Sequence, residues 1–119
     1  MAKDGNIILK KSFNFAVRII KIYKYLSKEK SEYVLSKQIL RCGTSIGANV
    51  EEAMGGVSKS DFIHKLSISY KESRETEYWL RLFEKTDMID KKMFDSLYAD
   101  NKEILKILYS IIKTSKKSE

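Results

Sequence analysis

The chain has 119 residues, 43% of them apolar or aromatic and 33% charged, with a formal net charge of +7. That apolar fraction supports a core and excludes a disordered chain, and the length suits one domain. No apolar run approaches the roughly 18 residues of a membrane span, and residues 1–5 are short and polar, unlike a signal peptide.

Cys42 is the sole cysteine, so an internal disulfide is excluded. These features lead us to expect a cytoplasmic protein without a membrane partner. The basic balance has two readings, an anionic partner or simply a lysine-rich composition.

The chain contains no proline, so little in it breaks a helix. Four amphipathic segments follow in order. The first covers about residues 6–28, and a polar patch at 28–32 separates it from the second, at about 33–54. Gly55-Gly56 is a helix stop. Ser58 to Asp61 supplies N-caps with capping-box spacing, and the third segment runs over about 61–85. After a turn, Asp90 caps a fourth segment at about 91–113, and residues 114–119 read as a polar tail. Similar lengths with short connections predict an all-α fold, an antiparallel up-down four-helix bundle, as one domain over residues 1–119.

Helical spacing assigns the faces. On the first segment Leu9, Phe13, Ala16, Ile19, Ile20 and Tyr23 are expected inside, with Lys10, Lys21, Lys24 and Lys28 outside. On the fourth, Met93, Leu97, Ile104, Leu108, Ile111 and Ile112 form the apolar arc, opposite Lys102, Lys106, Lys113 and Lys117. The two lysine stripes are candidate phosphate-binding faces, or ordinary solvated surfaces. The third segment has a core face of Phe62, Leu66, Ser69, Ser73 and Leu80. Its opposite face holds His64, Ile68, Trp79 and Leu82, with Glu75 among them. A second apolar face predicts a subunit interface.

The second segment carries a core stripe of Leu35, Ile39, Cys42, Ile46, Val50 and Ala53. Beside it run Gln38, Arg41, Ser45, Asn49 and Glu52, which need partners at the core border. Arg41 is an ion-pair partner for Glu72 or Glu75 on the third segment. The network reads as a device for packing register first and a ligand site second. Gly43 and Gly47, four apart within a helix, indicate close approach by another element.

Residues 36–56 read SKQILRCGTSIGANVEEAMGG and residues 65–82 read KLSISYKESRETEYWLRL. Together they closely resemble the bacterial four-helix bundle family related to proteins encoded in 23S rRNA intervening sequences. The family pattern of Gln, Arg three later, Ser-Ile, Asn and Glu falls on Gln38, Arg41, Ser45-Ile46, Asn49 and Glu52, with Glu75 matching its third-helix Glu. Ala53 stands where the family often has Gly. The resemblance implies an antiparallel four-helix bundle. It extends to the accessory variability protein of diversity-generating retroelements, which implies a basic pentameric ring contacting nucleic acid and a partner enzyme.

Catalytic arrangements find little support. A di-iron bundle needs two Glu-x-x-His motifs, and His64 is the only histidine, so no metal is expected. Cys42 lies on a core stripe, where a cysteine acts as a small hydrophobe. Gly55-Gly56 lacks the Lys-Ser/Thr of a phosphate loop. Most aromatics lie at core spacing, so nucleic-acid contacts are expected through phosphates alone. The leading expectation is a non-enzymatic oligomeric module, without cofactor, that binds RNA or DNA through the lysine stripes. The alternative is a scaffold recruiting a partner protein. A third reading places an acidic small ligand at Arg41.

Overall fold

The computed structural model describes residues 2–118, with side chains from Gly5 onward. Its elements are four helices: α1 (Ala2–Lys28), α2 (Ser36–Met54), α3 (Lys59–Lys85) and α4 (Lys91–Lys117). Each packs antiparallel on its chain neighbour, and α4 closes back on α1, forming an antiparallel four-helix bundle. α1 and α3 occupy opposite corners and do not meet. The bundle measures 47 × 21 × 19 Å.

The helix starts follow from local capping. Ser58 Oγ accepts from the Asp61 N–H at 3.0 Å, and Asp90 accepts from the Met93 N–H at 2.8 Å, satisfying amides that the first turn leaves free. Because Ser58 is the cap, α3 begins at Lys59, two residues ahead of the expected start. α2 begins at Ser36 and not at 33. There the Glu32 carboxylate takes the N–H groups of Val34, Leu35 and Ser36, at 3.3, 3.1 and 2.7 Å, so residues 33–35 form a capped approach. Burial opposes charge on Glu32, but these amides outweigh it and hold the carboxyl below its usual range.

The expected polar tail is wrong: α4 runs through it to Lys117. Ser115 lies one turn beyond Ile111 on the core side and is buried. Lys116 and Lys117 sit in the last turn, where the helix dipole favours positive charge.

The core joins Phe15, Ile19 and Leu26 of α1 to Ile39, Ile46 and Val50 of α2, Leu66, Leu80 and Phe83 of α3, and Leu97, Ile104 and Leu108 of α4. The expected inner face of α1 is partly wrong. Ile19 is buried, but Phe13 is 61% exposed and Ile20 41%, while Ile8, Phe15, Ile22 and Leu26 fill the interior. This helix is apolar around much of its circumference, so periodicity alone admits two stripes.

The expected close approach to α2 is made by α1. A Cβ on Gly43 would lie 2.7–2.9 Å from three side-chain carbons of Ile19, and one on Gly47 would lie 3.1 Å from the Ser12 carbonyl oxygen. Three buried polar residues of α3 and α4 bond across the bundle. Ser69 donates to the Ile46 carbonyl at 2.8 Å, and Ser73 donates to Asn101 Oδ1 at 2.7 Å, while Asn101 returns a bond to the Ser73 carbonyl. Asn101 fills the gap between Leu97 and Ile104 in the α4 arc, a position not singled out from the sequence.

Candidate nucleic-acid interface

The seam between α3 and α4 gathers basic side chains beside tyrosines. Along α4, Tyr98, Lys102, Lys106, Tyr109 and Lys113 recur at intervals of three and four residues, so they share one face. Across the seam, Tyr70, Arg74, Glu77 and Arg81 of α3 do the same. Between them lies a groove of about 490 Å³ lined by Tyr70, Arg74, Glu77, Lys102, Leu105, Lys106 and Tyr109. Farther along the seam, Tyr78, Arg81, Lys85 and Phe94 border a second hollow of about 340 Å³.

Only one acid in the main groove offsets its three cations. Glu77 pairs with Lys102 at 3.5 Å, and Lys102 also lies 5.5 Å from the centre of the Tyr98 ring. Arg74 and Lys106 have no ion pair among the described residues. The same holds for Lys113 and Lys117, which are exposed.

The lysines of α1 are arranged differently. Lys10, Lys21, Lys24 and Lys28 are all exposed, as expected. They share the outer face of α1 with exposed Ile7, Phe13, Val17 and Ile20, and this face points away from the α3–α4 seam. The two lysine stripes therefore do not merge into one surface.

Most aromatic residues are buried or half-buried as expected, but several are not. Tyr109 is 57% exposed and Tyr78 49% exposed. Tyr70 and Tyr109 are in contact, with ring centres 6.3 Å apart, and Phe94 stacks on Tyr98 at 5.1 Å. Helix periodicity places these tyrosines at the edge of the core stripe, where sequence alone does not distinguish cover from exposure.

The polar stripe of α2 divides into separate pieces. Arg41 donates to Glu72 at 3.0 Å and to Glu75 at 2.5 Å, so both expected partners are used. Glu75 also accepts from the Trp79 indole N–H at 3.1 Å. The Arg41 hydrogen bond and its positive charge hold the Glu75 carboxyl below its usual range, against some burial. Asn49 bonds locally to Ser45, Glu52 pairs with Lys65 at 2.8 Å, and Gln38 is exposed. Arg41 already pairs with two carboxylates, whose charge opposes an added acidic ligand.

The expected interface residues of α3 are partly covered within the monomer. Ile68, Trp79 and Leu82 are half-buried, and His64 is exposed. Trp79 packs against Tyr78 and Phe83. Cys42 is fully buried, and burial pushes its thiol up to about 11, which leaves it a protonated core residue. Among the described residues, no cluster of three histidine, cysteine or acidic side chains is placed to hold a metal. Among the described residues, no helix is long and apolar enough to cross a membrane.

Fold and surface thus define a basic antiparallel four-helix bundle. The chain belongs to the 23S rRNA-intervening sequence protein family, whose model matches residues 4–110. It is also similar to a crystal structure of a protein with unknown function, from the S23 ribosomal protein family of Bacteroides thetaiotaomicron. That likeness has 52% identity and a TM-score of 0.91, covering 92% of this chain and 98% of the other. No curated protein matches the chain.

Proposed function

We propose that this protein is a non-catalytic, oligomeric module that binds RNA or DNA through its basic faces. The observation that carries this reading is the α3–α4 seam, where Arg74, Lys102 and Lys106 face one acid, Glu77. Membership of the 23S rRNA-intervening sequence protein family supports it. Lysines and an arginine on helical faces recognise the spacing of phosphates and not base identity, so binding is predominantly sequence-independent.

Neutralising phosphates releases counterions, and affinity therefore falls steeply with salt. Gel shifts at low salt against structured RNA, single-stranded RNA and duplex DNA test the reading, and failure to shift any of them ends it. Reversing charge at Lys102, Lys106 and Lys113 abolishes the shift while a partner-recruiting scaffold would keep its partner.

Association is proposed on separate grounds. Phe13, Val17 and Ile20 form an exposed apolar strip on α1, and His64 and Ile68 border α3. A ring of five copies is the arrangement that the resemblance implies. Light scattering reporting a monomer at micromolar concentration would exclude self-association and leave the nucleic-acid reading standing.

A further inference from the structure

Resting on the nucleic-acid reading, we infer that the α3–α4 seam is a stacking track selective for single-stranded nucleic acid, with Tyr109 as its principal platform. Three observations combine. Tyr109 keeps 57% of its surface exposed. Tyr70 packs beside it, with ring centres 6.3 Å apart and ring planes tilted by 44°. A base inserted between the rings would need about 7 Å, two van der Waals layers, so the base stacks on the outer face of Tyr109.

The third observation is the order of residues. Tyr98, Lys102, Lys106 and Tyr109 follow one another on a single face, with Arg74 opposite. The two tyrosines are separated by about 16 Å along the helix, at roughly 1.5 Å per residue. Cations between two ring platforms match a strand whose phosphates bind while its bases lie on aromatic faces. A duplex keeps its bases stacked internally and offers only phosphates, so it gains nothing from the rings. The half-buried Tyr98, stacked on Phe94 and carrying Lys102 over its ring, supplies a second, more shielded surface.

The test is fluorescence anisotropy with the full chain and four labelled probes. These are an oligothymidine of about 12 nucleotides, an abasic strand of that length, a duplex, and poly-glutamate. Stacking predicts that oligothymidine binds about 5- to 150-fold more tightly than the abasic strand. Tyr109→Leu removes most of that difference, whereas Tyr109→Phe keeps it. Thermal melting checks that both variants are folded, which the exposure of Tyr109 favours. Equal binding of oligothymidine, abasic strand and duplex overturns the stacking track but leaves phosphate binding intact. Poly-glutamate binding as tightly as oligothymidine overturns it as well, because the seam is then a general polyanion surface. If no nucleic acid binds at low salt, both readings fall.

Discussion

Gly43 of α2 leaves Ile19 of α1 no room for a methyl group: an added Cβ would lie 2.7 Å from Ile19 Cγ1 and 2.8 Å from Cγ2. Ile19 is fully buried, and these carbons are near its branch point, so they cannot swing aside as a chain end does. Gly43→Ala gains about 1 kcal/mol of helix propensity but overpacks the core by about 1–3 kcal/mol. We expect net destabilisation. Urea denaturation checks it, and adding Ile19→Ala should remove the clash, giving a non-additive double-mutant cycle. Additive effects would show that the two helices separate freely.

Ser73 and Asn101 exchange two hydrogen bonds in the middle of the core. Asn101→Leu deprives the Ser73 hydroxyl and carbonyl of these bonds to α4, which costs about 1–3 kcal/mol of stability. Ser73→Ala combined with Asn101→Leu should recover part of the loss by removing the stranded hydroxyl. Chemical denaturation of the three variants reads this directly.

The local signals and the packing signals differed in how legible they were. Ser58 with Asp61, and Asp90 with Met93, lie within one turn, so their capping bonds follow from spacing alone. Glu32 is also local, yet an acid that accepts from three amides of a loop follows no simple spacing rule, and α2 starts later than periodicity predicts. The Arg41 pairing was readable because opposite charges stood at the right faces of adjacent helices. Phe13 and Ile20 are exposed against expectation for a common reason. Each sits on a helix with more apolar positions than one face can bury, and only the positions of the neighbouring helices decide which side is covered. The Tyr70–Tyr109 contact joins residues from two helices, so no pattern within one segment contains it.

Glu75 couples the α2–α3 pairing to pH. Its folded-state pKa is lowered, from an ordinary value of 4.5, by hydrogen bonds and charge from Arg41 and by the Trp79 indole. A lowered carboxyl stabilises the fold above its unfolded pKa, and this contribution is lost as pH falls through the folded value. Because the group is more than a third exposed, solvent screening keeps it below about 1 kcal/mol. Stability should therefore decline below about pH 4.5, and less steeply in Glu75→Gln. Trp79 is the only tryptophan, so its fluorescence should change over the same window as its indole bond weakens. An acid limb identical in Glu75→Gln would place the pH sensitivity elsewhere.

The two basic faces make separable contributions. Arg74 and Lys106 are unpaired among the described residues and border one groove, whereas Lys10, Lys21, Lys24 and Lys28 share α1 with exposed apolar side chains. If phosphates lie along the seam, Arg74→Gln with Lys106→Gln removes two contacts. The slope of log affinity against log salt should then become shallower by roughly 1.4–1.8, at about 0.7–0.9 per phosphate contact. Lys102→Gln should change the slope less, because Lys102 already shares its charge with Glu77. Substituting Lys21 and Lys24 with Gln should change the slope less than the seam pair does. Filter binding across a salt series distinguishes the cases, and a larger slope change from the α1 pair would move the phosphate path to α1.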